Sequence, residues 1–210
     1  MNPLLEDFNT APFSKISSTD YKPAIKEAIE ICKQEIETII SNPEIPSFQN
    51  TTEALEFTGQ KLGRITSIFF NLNSAETSEA IQKIAQEISP WLSEFKNDMI
   101  LNSALFTKVK SVYDTRGVLN LDSEQTMLLE KQYKGFSRNG ANLNNEDKEK
   151  LRKIDTELSK LSLQFGENVL AETNAFELHL TDDKRLSGLP ESVKEAAREV
   201  AKSKEKTGEC

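Results

Sequence analysis

Between Asp20 and Asn42 the apolar residues Ile25, Ala28, Ile29, Cys32, Ile36, Ile39 and Ile40 recur three and four apart. That spacing places them on one face of an α-helix and turns the charged residues between them to the other. A helix with one apolar stripe must bury it against another element, and where the same period keeps returning that element is another helix. Ser18 or Thr19 is placed to cap this helix, and Pro23 falls in its first turn, where a missing N–H costs nothing. Asn42-Pro43 stops it.

The period does return. After the Pro-stiffened connector "PEIPSFQ", Asn50 and Glu53 have capping-box spacing, and Leu55, Leu62, Ile65, Phe69 and Leu72 predict one helix running to about residue 75. Thr77 or Ser78 opens the next, carrying Ile81, Ile84, Ile88, Trp91, Leu92 and Phe95, with Pro90 inside it as a kink. A shorter helix is expected over 103–114. Asp122 with Gln125 starts another that ends at Asn139-Gly140, a left-handed stop. The longest window, about 145–172, has Leu151, Ile154, Leu158, Leu161 and Phe165 on one face and would be roughly 42 Å long, which suits a wall or spine. "LPESVKEAAREVAKSKEK" makes a last amphipathic helix. The heptad-like spacing lasts too few heptads for a coiled coil, so antiparallel packing is expected.

One stretch breaks the pattern. Phe176, Leu178 and Leu180 alternate with Glu177 and His179, which is strand periodicity. The fold expected is therefore mostly α: an antiparallel bundle of about six to seven helices, one or two of them long, with one orphan strand near 176–180. Residues 1–175 form the helical region, and 176–210 begin a small strand-and-helix element that continues beyond this chain. An unpaired strand edge invites self-association through 176–180.

Composition narrows function mainly by exclusion. A net charge of −8 with no basic block disfavours nucleic acid, which needs clustered Lys and Arg. There is no apolar run of roughly 18 residues to span a membrane. "MNPLLEDFNTAPF" lacks the basic and apolar parts of a signal peptide, so the cytoplasm is the expected compartment.

Chemistry is equally sparse. The chain has one histidine, His179, which the alternation turns away from Phe176, Leu178 and Leu180 as a surface residue. HExxH needs two. Cys32 and Cys210 have no metal-ligand spacing, and Cys32 reads as a small core hydrophobe. Gly59 and Gly63 form a GxxxG that predicts a closely packed neighbouring helix. Asn50-Thr51-Thr52 is a formal glycosylation sequon whose capping role accounts for it. "NNEDKEK" lacks the ligand spacing of a calcium loop and reads as a charged first helical turn.

Several stretches, taken in order, nonetheless resemble one family. They are "NPLLEDFNTAPFSKI", "DYKPAIKEAIE", "PSFQNTTEALEFTGQKLGRITSIFFNLNSA", "LNSALFTKVKSVYDTR", "LEKQYKGFSRNGANL" and "LSLQFGENVLAETNAFEL". Together they resemble the N-terminal region of the peptidyl-dipeptidases, or dipeptidyl carboxypeptidases, of the thimet oligopeptidase family of zinc metallopeptidases. The resemblance runs from about Asn2 to Lys206. It implies an enzyme that hydrolyses short peptides in a channel between two helical halves and releases dipeptides from a free C-terminus. It also implies a zinc ion held by the two histidines of an HExxH helix and a later glutamate, with the HExxH glutamate activating water. None of those positions lies in this sequence. On the resemblance the chain contains no catalytic, cofactor-binding or metal-binding residue, binds no zinc itself, and is inactive alone. Its partners would be the C-terminal catalytic half and, in the whole enzyme, short peptides. In the family further strands follow, so partners for 176–180 are expected beyond Cys210. The alternative reading is a free-standing helical interaction module without catalytic activity.

Overall fold

The computed structural model describes residues 2–180 and 182–204, the side chain of Asp183 apart. The chain divides into two units, residues 1–164 and 165–210.

The first unit is built around α1 (Tyr21–Ser41), which packs against α3 (Gln60–Ala75), α4 (Glu79–Ile100) and α5 (Ser103–Asp114). Its buried face is the expected one: Ile25, Ala28, Ile29, Cys32, Ile36 and Ile39 are buried, with Ala24 and Tyr21, and Ile40 is partly so. They share one core with Leu62, Ile65 and Phe69 of α3, Ala85, Ile88 and Phe95 of α4, and Leu105, Phe106 and Val109 of α5. Lys22 pairs with Glu87, and Lys26 lies 4.6 Å over the Trp91 ring, so α1 and α4 are also joined at their rims. Ser17 rather than Ser18 or Thr19 caps the 3-10 turn Ser18–Asp20 that leads into α1.

α5 packs on α6 (Ser123–Arg138) through stacked aromatic rings: Tyr113 on Tyr133 at 3.8 Å, and Phe106 on Tyr133 at 5.9 Å. The α6 start is the capping box expected at Asp122 and Gln125. A π-helical turn, Phe48–Glu53, contacts both α5 and α6, and Gln132 donates a hydrogen bond of 2.9 Å to the Thr52 carbonyl. Phe48 there shares a smaller cluster with Val112 and Leu129.

Two corrections concern this region. The single helix expected over 50–75 is broken into the π-turn, the short α2 (Ala54–Glu56) and α3, because Gly59 takes a left-handed φ of +70° at the start of α3. The cap also sits three residues earlier than expected: Ser47 and Asn50 form the capping box, so Asn50 closes it rather than opening one. Pro90 lies inside α4 as the sequence places it, and the helix runs through it to Ile100.

The N-terminal segment is tied down. Leu4 is fully buried, Asn2 donates to the Asp20 carbonyl at 2.8 Å, and Arg64 donates to the Glu6 carbonyl while lying over the Phe8 ring.

α7 (Asn145–Ala175) is as long as its period predicts. Within the first unit Lys148 anchors it. This buried lysine donates to the Leu101 carbonyl and to Ser103 Oγ, both at 2.9 Å, where α4 gives way to α5. Arg152 pairs with Asp98 of α4 at 2.7 Å, and Leu163 packs on the core. The apolar face of α7 is largely exposed: Ile154 by 60%, Leu158 by 57% and Leu161 by 58%.

The second unit holds the end of α7, the segment 176–180, a 3-10 turn (Asp183–Leu186) and α8 (Glu191–Ser203). The orphan strand is not formed. Residues 176–180 are coil, and no strand occurs among the described residues. The physical reason is the one the sequence posed: period-two alternation favours a strand only when a second edge satisfies its backbone, and the described residues offer none.

Candidate functional site

The residues singled out in the sequence are not brought together. Cys32 is buried in the core, where loss of hydration and then the Glu35 carboxylate push its thiol up from 9.0 to about 11. A thiol held that far up carries little thiolate at neutral or mildly basic pH, the opposite of an activated cysteine. In a Cys210→Ser background, native Cys32 is expected to react with Ellman's reagent at pH 8 at least about 100-fold more slowly than in denaturant. Equal rates would show the thiol to be accessible.

Gly59 and Gly63 do not make a helix-packing pair. A Cβ on Gly63 would meet nothing within 4 Å, so no neighbour approaches it. Gly59 is needed for its backbone. At φ +70° its N–H donates to Glu35 at 2.8 Å, and a Cβ there would sit 3.0 Å from Cys32 Sγ. Asn50 of the sequon is engaged on both sides, accepting from the Ser47 N–H and donating to the Ile45 carbonyl. His179 is exposed. It contributes to the same groove as Phe176 and Leu178 rather than to an opposite face.

Two surfaces have the shape of binding sites. In the first unit a groove of 560 Å³ lies between α4 and α7, lined by Glu94, Asn97, Arg152, Lys153, Glu157 and Lys160 among others. Its charges are mixed, and Arg152 is already held by Asp98 and by Glu149 at 3.5 Å. Asn97 is buried with its Nδ2 unpartnered. The groove offers hydrogen bonds and charge but no nucleophile paired with a base. In the second unit a groove of 340 Å³ is lined by Phe176, Leu178, Leu180, Leu189, Val193 and Val200 with a few polar neighbours. No group of three or more His, Cys, Asp or Glu that could hold a metal ion occurs among the described residues, and no helix there is long and apolar enough to cross a membrane.

Comparison with known proteins supplies what the geometry lacks. No protein-family model matches the sequence. The chain is 37% identical over 209 residues to dipeptidyl carboxypeptidase of Escherichia coli K12, which covers 97% of this chain and 30% of that protein. It is 30% identical over 207 residues to oligopeptidase A of Salmonella typhimurium, covering 99% of this chain and again 30% of the relative. It is 28% identical over 203 residues to an organellar oligopeptidase A of Arabidopsis thaliana, at 97% and 26% coverage. The chain is thus related to peptidases along nearly its whole length. Within them, the resemblance to the dipeptidyl carboxypeptidases and oligopeptidases A of the thimet oligopeptidase family stands. The chain spans about 30% of the length of these bacterial relatives.

Proposed function

We propose that this chain is the N-terminal, non-catalytic helical part of a zinc peptidase that hydrolyses short peptides, releasing dipeptides from a free C-terminus. One observation carries the reading: 37% identity to a dipeptidyl carboxypeptidase spread over 97% of this chain, which corresponds to only 30% of the relative. Similarity of that extent concerns a whole folded part, not a shared motif. On this reading residues 1–175 form one wall of a peptide channel, and residues 176–210 begin an element completed by later sequence. On this reading the metal and the groups that activate water belong to the remaining catalytic half. The chain's own contribution is rigid shape. A wall of packed helices admits an extended peptide and excludes a folded protein, and it restricts water around the scissile bond. On this reading the parent enzyme works in the cytoplasm.

The test uses the protein encoded by the complete reading frame. Incubated with free tetrapeptides, it is expected to release dipeptides from the C-terminal end, with activity abolished by a chelator and restored by zinc. The 210-residue chain alone is expected to show no turnover under the same conditions. Cleavage of peptides with a blocked C-terminus would move the reading to an oligopeptidase that cuts internally. Turnover by the isolated chain would refute a non-catalytic role, and a reading frame without further coding sequence would favour an interaction module.

A further inference from the structure

The second unit has almost no interior. Among its described residues only Leu186 is buried, while Phe165, Val169, Phe176, Leu178, Val193 and Val200 are each about half exposed or more. The apolar residues are nonetheless ordered. Val193, Ala197, Val200 and Ala201 form one stripe of α8, and with Phe176, Leu178 and Leu180 they line the 340 Å³ groove. The backbone along its coil side is also unspent: Leu178, His179 and Leu180 have no hydrogen-bond partner among the described residues. A piece of this size rarely stabilises itself without a fuller core. An apolar groove beside open backbone groups matches a polypeptide segment that brings both apolar side chains and main-chain partners.

We infer that this groove is a docking surface for an apolar segment of the same polypeptide lying outside this chain. The inference rests on the proposed function, because it requires a longer protein. The length of the relatives argues for that occupant over a second copy. They match 97% of this chain, including the groove, and extend to more than three times the matched length. In such a protein the cover is covalently attached, at an effective concentration that a second molecule does not reach.

Hydrogen exchange on the isolated chain and on the complete reading-frame protein tests this. Amides of 176–180 and of Glu191–Ser203 are expected to exchange at least about 100-fold more slowly in the longer protein, while those of Tyr21–Ser41 exchange alike in both. In the longer protein, Leu178→Asp with Val200→Asp should remove that protection and leave α1 unchanged. Equal exchange of 176–203 in the two proteins would overturn the inference. So would protection in the isolated chain that rises with its concentration, which marks a second copy, or a reading frame that adds no sequence. A longer protein without peptidase activity that still protects 176–203 would sink the proposed function and keep the docking surface. An active peptidase lacking that protection would do the reverse.

Discussion

Phe69→Ala is expected to destabilise the isolated chain by about 3–5 kcal/mol, the range for emptying a buried aromatic site. Phe69 has no exposed surface and sits edge-on to Tyr21, with ring centroids 5.0 Å apart and planes at 65°, and edge-on to Phe70 at 5.2 Å. Removing the ring forfeits its transfer from water, leaves a cavity at the α1–α3 contact and deletes two aromatic pairs. For a chain of this length each kcal/mol moves the melting temperature by roughly 2–4 °C, so a fall of about 6–20 °C should appear by circular dichroism. Phe165→Ala is the internal comparison. That ring is 71% exposed, and its loss should change stability by no more than about 0.5 kcal/mol. If Phe165→Ala cost as much as Phe69→Ala, the exposed face of α7 would be covered in this chain after all.

Phe69 and Phe165 also mark where sequence reading succeeds and where it stops. Each lies on a helical stripe spaced three and four apart, and nothing local distinguishes them. Periodicity reports that a face wants a partner; it does not report whether the partner lies within the same 210 residues. For α1, α3, α4 and α5 the partners are present, so the stripes predict the core. Ile154, Leu158 and Leu161 lie on an equally regular stripe and are exposed among the described residues. Phe176–Leu180 shows the same limit in the strand period, since alternation without an adjoining edge yields coil. The other misses are local. Asn50 and Glu53 have capping-box spacing, but so do Ser47 and Asn50, and only the tertiary position of the connector selects the earlier pair. The glycine pair could be read as packing because its spacing suits packing; the positive φ of Gly59 is set by the approach of α1, which spacing does not encode. The groove between α4 and α7 was not legible, because it joins residues distant in sequence and contains no motif with a chemical signature. The groove of the second unit is made from two stretches that the sequence does single out, 176–180 and the last amphipathic helix, but their meeting is not encoded in either. The relationship to peptidases was legible, because it lies in the order of six ordinary stretches rather than in any one of them.

Gly140→Ala is expected to cost about 2–4 kcal/mol, for two reasons that add. Gly140 has φ +97° just past α6, where the Ala141 N–H reaches back to the Phe136 carbonyl at 3.1 Å and both residues are buried. This is the left-handed helix stop predicted from Asn139-Gly140. An L-residue there is strained by about 1–3 kcal/mol. In addition, the new Cβ would stand 2.6 Å from Leu151 Cδ2, 3.1 Å from Leu143 Cδ1 and 3.2 Å from Leu101 Cδ2. Leucine tips can shift, so that crowding adds about 1 kcal/mol rather than preventing folding. Gly63→Ala is the opposite case. Gly63 lies within α3 with no atom near its missing Cβ, so alanine should leave stability unchanged or raise it by up to about 1 kcal/mol through helix propensity. Urea denaturation of the two variants should give midpoint shifts of opposite sign, or a loss against no change. A neutral Gly140→Ala would mean that the α6–α7 turn is not held as described. The consequence reaches the proposed function, because Leu151 and Lys148, which this turn sets against the end of α4, fix the first turns of α7. If that helix is a channel wall, its direction in the first unit is decided at Gly140.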